Sequence, residues 1–139
     1  MKNEALVKEW FYYASMDFDT AVYLHKNMIP EPLEIVCYHC QQSAEKFVKG
    51  LLVGYGLPIP KTHDVGIAVC QLESVLNISD EIMNACESLT PYAVKVRYPR
   101  EILIEEYHVR NAIKDATIIC DWSKKILSGL SLFTVGSLI

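Results

Sequence analysis

Apolar residues fall at three- and four-residue steps along most of the chain, the period of helices that bury one face. From Glu4 to about Asn27 the stripe is Leu6, Trp10, Ala14, Phe18 and Ala21, with Lys8, Glu9 and Asp19 elsewhere on the wheel, which predicts one long amphipathic helix. Pro30 and Pro32 stop it, and Pro32 suits the first turn of a second helix that runs to about Gly54 over Cys37, Cys40, Ala44, Phe47 and Leu51. Gly54 and Gly56 supply its C-terminal break.

Leu57-Pro58-Ile59-Pro60-Lys61 cannot propagate a helix and is predicted to be a loop. Thr62 or Asp64 can cap a short third helix through Leu76, and Ser79 with Asp80 and Glu81 starts a fourth. Pro91 and Pro99 bracket an irregular stretch. A last long helix is predicted from about Ile102 to Leu127, with Ile104, Val109, Ile113, Ala116, Ile119 and Trp122 among its apolar positions, ended by Gly129. No strand-like alternation and no internal repeat appears. The fold class expected is all-α, an up-and-down bundle of four to five helices in one domain over residues 1–139. Its core spans about 4–128, and an apolar tail, 129–139, is expected to pack on the bundle or on a partner.

Composition narrows the function classes. Apolar residues make 51% and charged residues 22% of the 139, which is globular composition. The absence of a run approaching the ~20 apolar residues of a membrane span, and of a signal-peptide pattern at Met1-Lys2-Asn3-Glu4, points to a cytoplasmic protein that does not enter a membrane. A net charge of −4 argues against non-specific coating of nucleic acid, while leaving room for a local basic cluster. The five cysteines are an odd set among apolar neighbours, so no disulfide framework is expected. Cys37-x2-Cys40 with His39 has no second ligand pair, and neither a metal site nor a cofactor is expected.

Three groups of polar residues carry candidate chemistry. Asp17 shares the apolar stripe of the first helix and needs a partner if buried; Gln41 and Glu45, one turn apart on the second helix, with Lys46 or Lys49 as cation, could complete a structural polar network or line a polar cleft. Lys61 and His63 lie where the Pro-rich loop meets a helix start, a place that favours an anion, although the simpler reading is that Asp64 or Thr62 caps the helix and His63 packs or hydrogen-bonds locally. Lys95, Arg97 and Arg100 form a basic cluster interleaved with Tyr92 and Tyr98 and followed by His108, suited to gripping a phosphate and stacking a base; Glu101, Glu105 and Glu106 could instead absorb that charge.

Trp10-x3-Ala14-x2-Asp17-Phe18-x2-Ala21, then Tyr38-His39-Cys40-Gln41-Gln42-Ser43-Ala44-Glu45-Lys46, then Thr62-His63-Asp64, and finally Arg97-Tyr98-Pro99 resemble, in order and spacing, the HEPN domain, named for higher eukaryotes and prokaryotes nucleotide-binding. The likeness covers roughly residues 6–127. It implies a helical bundle, usually a homodimer and often encoded beside a minimal nucleotidyltransferase. Many relatives are RNases of toxin–antitoxin or defence systems, and others bind nucleotides or partners without cleaving. The RNase signature, an Arg followed after four to six residues by His, is missing: before His108 the required positions hold Glu101, Ile102 and Leu103, with Arg100 and Arg97 too far back. The expectation is therefore a non-catalytic module that holds a nucleotide or RNA, or docks a nucleotidyltransferase, through Arg97, Tyr98, Arg100 and His108, with Lys61 and His63 as further ligand contacts. One rival is a divergent metal-independent RNase using Arg97 or Arg100 with His108. Another is a structural homodimer without ligand.

Overall fold

The computed structural model describes the backbone of residues 3–95 and 103–138 and the side chains of 3–93 and 103–129. The elements are α1 (Glu4–Asn27), α2 (Leu33–Gly54), α3 (Val65–Cys70) running into a turn of 3₁₀ helix (Gln71–Ser74), α4 (Asp80–Leu89), the single turn α5 (Tyr92–Lys95) and α6 (Glu106–Leu138). There is no strand among the described residues, and the chain folds as a helical bundle.

α2 is the central helix. From Cys40 to Gly54 every residue but Gln42 and Lys46 is buried, because α1, α6 and the α3–α5 segment pack around it. Its predicted face of Cys37, Cys40, Ala44, Phe47 and Leu51 is fully buried. In α1 the buried stripe is rotated from the predicted one: Val7 and Phe11 join Ala14 and Ala21 inside, Trp10 and Phe18 pack at the edge, and Leu6 is 42% exposed. The reason is Gly50 of α2. A Cβ there would lie 2.9 Å from the Phe11 ring and 3.0 Å from Trp10 Cβ, so the bare backbone lets α1 approach with Phe11 against it. Phe11 then meets Phe47 edge to face at 5.1 Å.

The boundaries follow their caps. α2 ends in a Schellman arrangement, with Gly56 at φ 71° and backbone bonds from Gly56 to Val53 and from Leu57 to Leu52. Asp64 accepts from Ile67 N at 2.9 Å to start α3, and Ser79 accepts from Ile82 N at 3.3 Å to start α4. α6 departs from expectation at both ends. It starts at Glu106 rather than near Ile102, where His108 Nδ1 accepts from Glu105 N at 3.0 Å and closes the first turn. At the other end it continues through Gly129 to Leu138. A mid-helix glycine costs only about 1 kcal/mol, and among the described residues no neighbouring element lies within 4 Å of a Cβ placed at Gly129. No helix among the described residues is long and apolar enough to cross a membrane.

Candidate functional site

The polar side chains of α2 fall into two clusters, one against α1 and one against the loop that follows α2. Against α1, Asp17 projects between the helices one turn beyond Ala14, whose carbonyl accepts from Ser43 Oγ at 2.8 Å and pins the pair. One Asp17 oxygen bonds His39 Nδ1 at 2.8 Å and the other accepts from Lys46 Nζ at 2.5 Å. His39 and Lys46 stand two turns apart on one face of α2, each on its own oxygen of the carboxylate. Burial pushes the Asp17 carboxyl up, but the hydrogen bonds from His39 and Lys46 and their charges outweigh it and hold the group below the ordinary carboxylate range.

Against the loop, Gln41, Glu45 and Lys49 follow one another at single-turn spacing and are all buried. Glu45 accepts from Gln41 Nε2 and Lys49 Nζ, each at 3.0 Å, and bonds His63 Nδ1 at the same distance. Lys49 also donates to the Thr62 carbonyl at 3.0 Å and Gln41 to the His63 carbonyl at 2.9 Å. The Pro-rich loop is thus held by its backbone, while the His63 ring lies 63% exposed. Lys61 is exposed on the same loop.

The four residues expected in one polar network are therefore paired two and two: Asp17 with Lys46, and Gln41 with Glu45. Sequence reasoning missed His39 as a partner of Asp17. Its position seven residues before Lys46, on the same side of the helix, is the signal that could have found it. Of the expected ligand face, Arg97, Tyr98 and Arg100 lie outside the described residues. His108 lies in the first turn of α6, half-buried, stacked on Tyr107 with ring centroids 4.0 Å apart. Tyr92 is 8% exposed in the core, so its ring offers no open stacking face, and burial pushes its phenol up to about 12.

Cys37 and Cys40 are core side chains, and burial pushes both thiols up, Cys37 to about 12. No group of three or more His, Cys, Asp or Glu among the described residues is placed to share a metal ion. All five cysteines are free.

Comparison with solved structures finds the same bundle elsewhere. TT1696 from Thermus thermophilus aligns with a TM-score of 0.75 at 19% identity over 86% of this chain and 96% of its own. ST0689, an archaeal HEPN homologue, aligns at 0.69 and 25% identity over 86% and 95%. A HEPN domain protein from Thermotoga maritima aligns at 0.56 and 21% identity over 89% and 95%. No curated protein matches the sequence. The profile of the HEPN domain matches residues 7–127, nearly the whole of the bundle, and the chain belongs to the HEPN domain family.

Proposed function

We propose that the protein is a non-catalytic HEPN module of the cytoplasm that binds a nucleotide or RNA, or docks a minimal nucleotidyltransferase, as in toxin–antitoxin or defence systems. The ligand face runs from Arg97, Tyr98 and Arg100 to His108, with Lys61 and His63 as additional contacts. The observation that carries the reading is the state of His108. Its Nδ1 accepts from the Glu105 backbone N–H. A neutral imidazole so engaged keeps its proton on Nε2, which suits His108 to donate a hydrogen bond to an anion. The missing Arg at RNase spacing favours binding over cleavage.

The module works as a homodimer. Support comes from the outer face of α1, where Leu6, Tyr12, Tyr13, Met16 and Tyr23 are 42–65% exposed, an aromatic-rich composition found at interfaces. Light scattering is expected to give a dimer of the 15.8 kDa chain at micromolar concentration, and a clean monomer would contradict it. For the ligand face, fluorescence anisotropy with labelled nucleotide and short RNA is the test. Arg97→Ala and Arg100→Ala should each weaken association roughly ten- to a hundredfold, the loss expected for one charged phosphate contact. Unchanged affinity in both variants would remove the face from the proposal.

A further inference from the structure

Three of the four histidines bond a carboxylate through Nδ1: His25 to Glu31, His39 to Asp17 and His63 to Glu45. They differ in how firmly the carboxylate is held and in how open the ring is. Glu45 is the deepest of the three acids and cannot turn away, because Gln41 shares its Oε1 with His63 and Lys49 holds its Oε2. The His63 side chain nevertheless keeps 63% of its surface in water, against 34% for His25 and 25% for His39. The backbone under the ring is fixed too, by the bonds from Lys49 and Gln41 to the Thr62 and His63 carbonyls.

This arrangement decides the tautomer. An ionised carboxylate only accepts, so the ring nitrogen that faces it carries the proton, and in the neutral ring Nε2 is left with its lone pair. His108 is the opposite case, its Nδ1 accepting and its Nε2 protonated. An imidazole oriented by a carboxylate at one nitrogen is equipped at the other to bind a metal or to act as a nucleophile. A metal would need more ligands, and no group of three or more His, Cys, Asp or Glu among the described residues is placed to share one. What the same loop does supply is Lys61, an exposed ammonium two residues earlier, a point charge suited to phosphoryl oxygens.

We infer that His63 is a phosphoryl-acceptor site, its Nε2 taking the group from a small donor of the phosphoramidate or acyl phosphate class. The Nε2 lone pair forms the N–P bond as the bond from phosphorus to the leaving group breaks, and that electron pair departs with the leaving group. The Nδ1 proton stays in place, and the positive charge gained by the ring faces the Glu45 carboxylate. The inference does not rest on the proposed ligand face, although a phosphoryl group on His63 would put negative charge where that face receives an anion.

The test is incubation of the whole chain with phosphoramidate, followed by intact mass and by peptide mapping in alkali, where the N–P bond survives. The first phosphoryl group is expected on His63, roughly tenfold or more ahead of His25, His39 and His108, with the preference lost in urea. His63→Gln should abolish that first step. Glu45→Gln sets an amide donor opposite Nδ1, which returns the ring proton to Nε2 and should slow the step roughly tenfold or more. Because this variant also strips Lys49 of its counter-charge, the native chain carries a second readout. Proton–nitrogen NMR correlation of the neutral ring should show the proton of His63 on Nδ1. Comparable rates at all four histidines, a preference that survives urea, an unchanged rate in folded Glu45→Gln, or a proton found on Nε2 would each overturn the inference.

Discussion

α2 presents the same chemistry twice, a carboxylate gripping a lysine and a histidine, at two depths. On the α1 side, the His39 and Lys46 side chains that hold Asp17 keep 25% and 27% of their surface in water. On the loop side, Glu45 and Lys49 keep only 7% and 10%, and Gln41 none. The shallow cluster joins helix to helix, and water can replace a missing partner. The deep cluster joins helix to loop through backbone carbonyls, and water has little access to a group left alone there. Depth, more than the identity of the pair, therefore sets what each is worth.

The comparison is broken most severely at Glu45. Glu45→Ala leaves the Lys49 ammonium buried without its counter-charge, and a loss of about 3–5 kcal/mol in a urea melt is expected. A loss under ~1 kcal/mol would mean that water reaches Lys49 as readily as it reaches a surface ion pair. At Asp17 the expected cost is smaller. Asp17→Ala should destabilise by ~1–3 kcal/mol, because His39 and Lys46 lose their acceptor but stay partly in water.

The shallow cluster also carries a pH signature. The Asp17 carboxyl sits below its ordinary value of 3.8 in the folded chain, so its contribution is complete above that value and is lost as pH falls through the folded-state pKa. The stability gap between the native chain and Asp17→Asn should close as pH falls below about pH 4. A gap that survives full protonation would show the carboxylate charge to be irrelevant. The smallest effect is expected at His63, whose ring is largely in water. His63→Ala should change stability by no more than about 1 kcal/mol, since Lys49 and Gln41 still hold the loop through the Thr62 and His63 carbonyls. A larger loss in the same melt would assign the imidazole, not the backbone bonds, as the latch.

Periodicity makes the helices legible: α1 ends where Pro30 and Pro32 require, and Asp64 and Ser79 cap where a helix start needs an acceptor. It reads the α1 face imperfectly, because adjacent Leu6 and Val7 are both apolar, and Val7 turns inward on the side of Phe11, which packs against Gly50. The end of α6 escapes it because one glycine reads as a stop although its cost is about that of a single weak contact. Within the site, single-turn spacing foretells the bond between Gln41 and Glu45. The link from Asp17 to His39 crosses between helices, 22 positions apart in sequence, and depends on how α1 and α2 are aligned along each other, which helical period alone does not specify.

The central claim is that this HEPN chain binds without cleaving, and RNA incubated with the purified protein in EDTA tests it most directly. The account predicts that the RNA remains intact with the native chain and with His108→Ala alike, while both still associate with it. Metal-free cleavage by the native chain, lost in His108→Ala with binding retained, would contradict the account and establish His108 as a group acting in the transition state.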